Sequence, residues 1–127
     1  MEYGYKRQIQ APYADAVIRV REALQKEGFG VLTEIDVKTT LKKKLDVDYD
    51  NYVILGACNP PFAYQALQAE KDIGLLLPCN VIVYEDGNKS YAAAILPTSA
   101  MSMVNSEKLN DVAVQVEAKL KTVIDSI

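Results

Sequence analysis

The sequence predicts an α+β fold with about four helices and about five strands in one mixed sheet. Apolar residues recur at helical spacing in two long segments, 12–27 and 105–127, and alternate with period two elsewhere. An Asp-Gly pair at 86–87 separates two strand-like segments, as in a two-residue β-hairpin turn. The predicted order is β-α-β-α-β-α-β-β-α, and its mixture of a crossover and a hairpin is typical of the α+β class.

Four elements are predicted in the N-terminal half. Residues 3–9 alternate as a strand does, and Pro12 suits the first turn of a helix that Gly28 can end. Residues 29–37 keep period two and are predicted as the second strand, and 38–45 as a short helix. The apolar stripe of the first helix consists of Tyr13, Val17, Val20 and Leu24.

The C-terminal half contains the remaining five elements. Residues 52–57 form a continuous apolar run, which is typical of a strand covered on both faces. A short helix over 60–67 follows, then paired strands at 80–85 and 89–96, then a long helix that Asn105 can cap. The stripe of that last helix consists of Leu109, Val112, Ala113, Val116, Leu120, Val123 and Ile127.

Length and composition indicate one domain spanning residues 1–127. Half of the residues are hydrophobic and 24% are charged, which is the balance of a folded globular chain. The formal charge of −3 offers no clustered positive surface, so we expect neither nucleic acid nor an anionic membrane as a partner. The longest apolar stretch, 73–84, contains Pro78 and Asn80 and is too short to span a bilayer.

The residue types exclude several classes of catalysis. The chain has no histidine, so it contains no Ser-His-Asp or Cys-His nucleophile system and no zinc site that uses histidine. Its first residues lack the apolar core of a secretory signal, and we expect a cytoplasmic protein whose two cysteines are reduced thiols.

Two Cys-Asn pairs are the candidate functional residues. Cys58 and Asn59 precede Pro60, so Cys58 lies just outside a helix N-terminus, where the helix dipole favours a thiolate. Cys79 and Asn80 form the second pair. If their strands are neighbours, both thiols border one pocket. The alternative is structural: a buried cysteine beside a helix that Asn59 caps. Two thiolates do not complete a four-coordinate shell, so no metal site is predicted.

The segments around these pairs resemble a known family. Ile-Leu-Gly-Ala-Cys-Asn-Pro-Pro at 54–61, Ala-Leu-Gln-Ala-Glu at 66–70 and Ile-Gly-Leu-Leu-Leu-Pro-Cys-Asn-Val at 73–81 are similar to the signature of domain-of-unknown-function family 302. The resemblance implies a small prokaryotic α+β protein that forms dimers. It implies no activity, substrate, cofactor or catalytic residue, so the cofactor stays unknown.

Three functional hypotheses follow. The first is a small-molecule or anion-binding domain with its site at Cys58, Asn59, Cys79 and Asn80, since polar groups at strand ends border pockets in such folds. The second is a thiol-dependent redox protein or enzyme that uses Cys58 and Cys79. The third is a homodimeric assembly module without a small ligand. Ile18 lies about 100° from the stripe of its helix and is the predicted contact surface.

Overall fold

The five segments predicted as strands form one sheet. The structure, a computed structural model, describes residues 2–127. The order of strands across the sheet is β1-β5-β4-β3-β2. The α+β class and the number of strands are confirmed. The strands are β1 (Gly4–Ile9), β2 (Gly30–Asp36), β3 (Tyr52–Cys58), β4 (Cys79–Asp86) and β5 (Lys89–Ile95).

All four strand pairings are antiparallel, which differs from the mixed sheet expected from the crossover. The chain does make a crossover between β1 and β2, and these strands run in the same direction. They lie at opposite edges of the sheet, however, so they never pair. The helices are α1 (Tyr13–Lys26), α2 (Val37–Leu45), α3 (Pro60–Ala69), α4 (Pro97–Ala100) and α5 (Glu107–Asp125), with a 3-10 helix at Lys71–Leu76.

The core lies between the sheet and the two longest helices. α1 and α5 pack across one face of the sheet, where β3 contributes Val53 and Leu55. The predicted stripe of α5 is buried from Leu109 to Val123, as helical spacing requires. The arginine of β1, Arg7, fixes the end of α5 by donating from Nη1 to the carbonyl oxygen of Asp125 at 2.7 Å.

The opposite face of the sheet is less covered than the sequence suggests. Tyr52 and Ile54 of β3 lie on that face and are only half-buried, so the expectation that β3 is covered on both faces is wrong. Their partners across the β3–β4 ladder, Tyr84 and Ile82, are half-buried as well. The continuous apolar run of β3 therefore serves the core on one side and a partly open surface on the other.

One helix terminus differs from prediction, and one helix is not predicted at all. Ser106, not Asn105, caps α5, and its hydroxyl accepts from the Leu109 N–H at 3.3 Å. The apolar run before Pro78, for which no element is predicted, is a 3-10 helix that begins where the Glu70 carboxylate accepts from the Asp72 N–H at 3.4 Å. The Glu70 carboxylate thus caps the first turn of this 3-10 helix.

No helix within residues 2–127 combines the length and the apolar character that a bilayer span requires.

Candidate functional site

An apolar pocket of about 300 Å³ opens where β3 and β4 meet the helices. Antiparallel pairing places Ala57 opposite Cys79, so the end of β3 and the start of β4 share one wall. Helices α3 and α5, which contact each other, form the remaining walls. The lining residues are Phe29, Leu32, Ala57, Cys58, Asn59, Phe62, Ala63, Ala66, Leu67, Leu77, Pro78, Cys79, Pro97, Met101, Val112, Ala113 and Val116.

Three of the four candidate residues line this pocket. Cys58, Asn59 and Cys79 lie in its wall, and both thiols are unpaired. Asn80 does not line it, because successive strand residues point to opposite faces. Its side chain is exposed and borders a separate groove on the other face of the sheet. That the three pocket residues bind a ligand stays a prediction.

The Cys79 thiol is an unusually weak acid. Burial, with a smaller contribution from the nearby Cys58, raises the pKa of the Cys79 thiol to about 11. Burial acts in this direction because the thiolate loses its hydration while the neutral thiol loses little. The Cys58 contribution also means that the two sulfur atoms lie within electrostatic reach of each other. Cys79 is therefore a neutral, weakly polar part of the pocket wall at neutral pH.

Asn59 connects two elements around the pocket. It occupies the N-cap position of α3, as predicted, but its side chain makes no capping hydrogen bond. The amide Nδ2 instead donates to the carbonyl oxygen of Glu27 at 3.1 Å and so satisfies the C-terminal end of α1. The expectation that this side chain caps α3 is wrong, because its amide group forms its hydrogen bond with α1 and not with the first turn of α3.

A glycine sets the distance between β3 and the pocket rim. A Cβ added at Gly56 would lie 2.8 Å from Cγ of Pro78 and even closer to the Thr33 hydroxyl. Pro78, which follows a cis peptide bond, lines the pocket, so the bare backbone of Gly56 allows the rim to lie directly on the strand. No sequence pattern singles out Gly56 among the glycines.

Leu32 lines the pocket because of an irregularity in β2. The register of β2 against β3 shifts between Val31 and Thr33, which leaves Leu32 out of the ladder. A β-bulge redirects a side chain in this way, and Leu32 is 67% exposed. Alternation alone gives no indication of this bulge, so Leu32 cannot be predicted as a pocket residue from the sequence.

The fold and the pocket define a class of small α+β proteins in which helices cover one face of an antiparallel sheet and enclose an apolar cavity. The family model described as "Domain of unknown function DUF302" matches residues 5–127. The chain belongs to this family, as the resemblance indicates.

A crystal structure of an uncharacterized conserved protein DUF302 from Bacillus stearothermophilus is similar over nearly the whole chain. It has 29% sequence identity and a TM-score of 0.92, and the match covers 98% of each chain. None of the curated proteins matches this chain. The function of the family is unknown.

Proposed function

We propose that this protein binds a small apolar molecule in the pocket between β3, β4, α3 and α5. The observation that supports this proposal most strongly is the pocket itself, which has about 300 Å³ and almost entirely apolar walls. Ligand sites range from roughly 300 to 1,000 Å³ and are mostly apolar with a few polar groups. The volume suits a compact ligand, and Cys58 and Asn59 are the polar groups available to orient it.

The residues that line the pocket favour an apolar ligand over an anion. No lysine or arginine is among the described residues that line the pocket, and Asn59 already uses its amide on Glu27. An anion here would lose its hydration without a compensating charge or a set of free donors, which is costly. The small-molecule hypothesis is therefore retained for the pocket, and the anion hypothesis is not.

We propose a cytoplasmic location for the protein, because a reducing environment would keep Cys58 and Cys79 as unpaired thiols. Both residues then contribute soft, weakly polar surface to the pocket.

A first experiment compares the native and denatured masses of the purified protein. Extra mass that is lost on denaturation would identify a ligand that copurifies, and extraction into organic solvent would recover an apolar one. The same protein, after extraction, is titrated with N-phenyl-1-naphthylamine, a neutral fluorophore whose emission rises in apolar surroundings. The fluorescence emission is expected to rise to saturation with one fluorophore bound per chain.

The variant Ala63→Phe is expected to weaken binding of this fluorophore at least tenfold. Ala63 lines the pocket and is half-buried, so a phenyl ring there fills ligand space without replacing a core residue. Ala118→Phe is the matched control, because Ala118 is an exposed residue of α5 outside the pocket. Equal affinities in both variants and the parent would contradict the proposal, provided that thermal unfolding shows all three to be folded.

We also propose that the protein forms a homodimer through the surface around Ile18. This residue is 55% exposed on α1, where an unpartnered isoleucine gains by association. Ile18→Glu is expected to give monomers by light scattering coupled to size-exclusion chromatography. Val114→Glu, at an exposed apolar position on α5, is the control. A dimer that survives Ile18→Glu but not Val114→Glu would move the interface to α5.

A further inference from the structure

The partly open face of the sheet carries an aromatic groove of about 670 Å³. We name it the tyrosine groove after four of its lining residues, Tyr3, Tyr49, Tyr52 and Tyr84. Residues facing each other across the ladders form a row, in which Tyr52 stacks on Tyr84 and Tyr84 on Tyr91. The ring centroids lie 5.3 and 5.4 Å apart along this row. The groove and the apolar pocket are on opposite faces of the sheet.

One end of the row already holds a cation. The ammonium group of Lys6, on β1, lies 4.7 Å from the ring centroid of Tyr91 and 5.3 Å from that of Tyr84. Ammonium groups within about 6 Å of a ring centroid are attracted by the negative face of the ring. These rings are therefore oriented so that a positive charge in the groove meets their faces.

The other end of the row is an aromatic corner. The rings of Tyr49 and Tyr52 are 6.4 Å apart and inclined at 51°, so they form two walls rather than a stack. Burial raises the pKa of Tyr52, and the neighbouring Tyr49, Tyr84 and Tyr3 raise it further. The phenol group of Tyr52 therefore stays neutral, with its ring face intact. Among the described residues on this face of the sheet, Lys6 makes the cation–ring contacts. It contacts Tyr84 and Tyr91, at the opposite end of the row from Tyr49.

The charges that line the groove are predominantly negative. Lys6 is its one cationic side chain among the described residues, whereas Asp50, Glu85 and Asp86 are acidic. The Asn51 amide donates to Glu85 at 3.1 Å, which fixes that carboxylate at the groove. Asp50 is exposed and neighbours Tyr49 in sequence, beside the aromatic corner. Aromatic faces together with excess carboxylate are complementary to a cation that has an apolar surface.

We infer that the tyrosine groove binds a small organic cation, with its ammonium group held between Tyr49 and Tyr52 and its charge balanced by Asp50. This site is independent of the apolar pocket and adds a second ligand class to the proposed function. A second copy of the chain is the competing occupant of this face. The acidic excess disfavours that arrangement, because two such grooves facing each other would bring like charges together.

Choline is the probe, and its neutral carbon isostere, 3,3-dimethylbutan-1-ol, is the matched ligand. The two differ in charge but hardly in shape, so the comparison isolates the cationic contribution. Titration followed by amide and tyrosine ring resonances is expected to show saturable shifts at Tyr49 and Tyr52 with choline, at constant ionic strength. The alcohol is expected to bind at least roughly fivefold more weakly. Equal binding of both ligands would overturn the inference.

Three variants define the site. Tyr49→Ala is expected to weaken choline binding roughly fivefold. Tyr64→Ala, which removes an exposed tyrosine of α3 outside the groove, is expected to have no effect. Lys6→Gln removes the resident cation and frees the faces of Tyr84 and Tyr91.

The Lys6→Gln variant is expected to bind choline roughly threefold more tightly, because the positive charge that repels the ligand is gone. A purely structural role for these residues would not improve binding. No saturable choline shifts in either the parent or Lys6→Gln would overturn the inference. A dimer that Tyr49→Ala dissociates would assign the face to a second copy and would also overturn it. Neither outcome bears on the fluorophore titration, which tests the pocket separately.

Discussion

Gly56→Ala is expected to lower the free energy of unfolding by about 2–3 kcal/mol, in the upper part of the range of roughly 1–3 kcal/mol for forcing an extra group into a packed site. The added Cβ would collide with the Thr33 hydroxyl and lie 2.8 Å from Cγ of Pro78. Pro78 belongs to the pocket rim and cannot rotate away as a flexible side chain would. Either β3 or the rim must move, so a fall in the melting temperature of roughly 10 °C is expected.

Chemical denaturation of the parent, the single variants Gly56→Ala, Gly30→Ala and Thr33→Ala, and the double variant Thr33→Ala/Gly56→Ala tests this expectation. Gly30→Ala is the control, because Gly30 also lies in a strand and a Cβ there meets nothing within 4 Å. Its stability is expected to change little. Thr33→Ala combined with Gly56→Ala should recover part of the loss, since it removes the nearer obstacle, and the double-mutant cycle measures that coupling. Equal stabilities of Gly30→Ala and Gly56→Ala would show that the rim adapts without cost.

The elements that the sequence predicts well are those whose signals are local. The stripe of α5 from Leu109 to Val123 repeats at helical spacing, and burial follows it closely. The Asp-Gly pair correctly predicts the β4–β5 hairpin and the positive φ of Gly87, which is 62°. The two turn residues are Gly87 and Asn88 rather than Asp86 and Gly87, because Asp86 pairs with Lys89 as the last residue of β4. In both cases the backbone conformation is determined by residues that are close together in the sequence.

The features that differ from the prediction are determined by contacts between residues that are distant in the sequence. The Asn59 side chain has two partners in reach, the first turn of α3 and the carbonyl of Glu27, and it bonds to the second. The expectation of a mixed sheet fails for a similar reason, because β1 and β2 run in the same direction but lie at opposite edges of the sheet. Composition cannot rank such alternatives, because the competing partner is distant in sequence.

The candidate site could be predicted only in part, because strand register decides its membership. The register that places Cys79 opposite Ala57 brings the two thiols to one pocket, as the sequence analysis expects if the strands are neighbours. The same register directs Asn80, one residue later, to the other face. The stacking of Tyr52, Tyr84 and Tyr91 is likewise a result of pairing, and no spacing within one segment reveals it.

Cys79 is expected to react with iodoacetamide on the order of 100-fold more slowly at pH 8 than a thiol of ordinary acidity. Only the thiolate is nucleophilic, and burial raises the pKa of this thiol to about 11. A raised pKa means that the folded protein retains the proton, so the thiolate fraction is reduced at every pH below about 11. The rate should therefore increase about tenfold for each pH unit between 8 and 10.

The measurement uses Cys58→Ser, in which Cys79 is the one remaining thiol, and follows the mass increase with time. The same variant in guanidinium chloride is the control, because unfolding removes the burial and should restore an ordinary rate. Cys79→Ser gives the reactivity of Cys58 under identical conditions. Rapid alkylation of folded Cys58→Ser below pH 8 would contradict the burial argument and would support the redox hypothesis.

This rate decides between two roles for the pair of cysteines. A redox mechanism needs Cys79 as a resolving nucleophile that attacks an oxidised Cys58 sulfur, and such an attack proceeds through the thiolate. With the proton retained, Cys79 would resolve slowly at neutral pH, however close the two sulfur atoms are. Slow alkylation would thus leave Cys58 without an efficient partner inside the described chain. The same burial that makes Cys79 a poor nucleophile makes it a suitable wall for an apolar ligand, so a slow rate favours the binding function over the redox one.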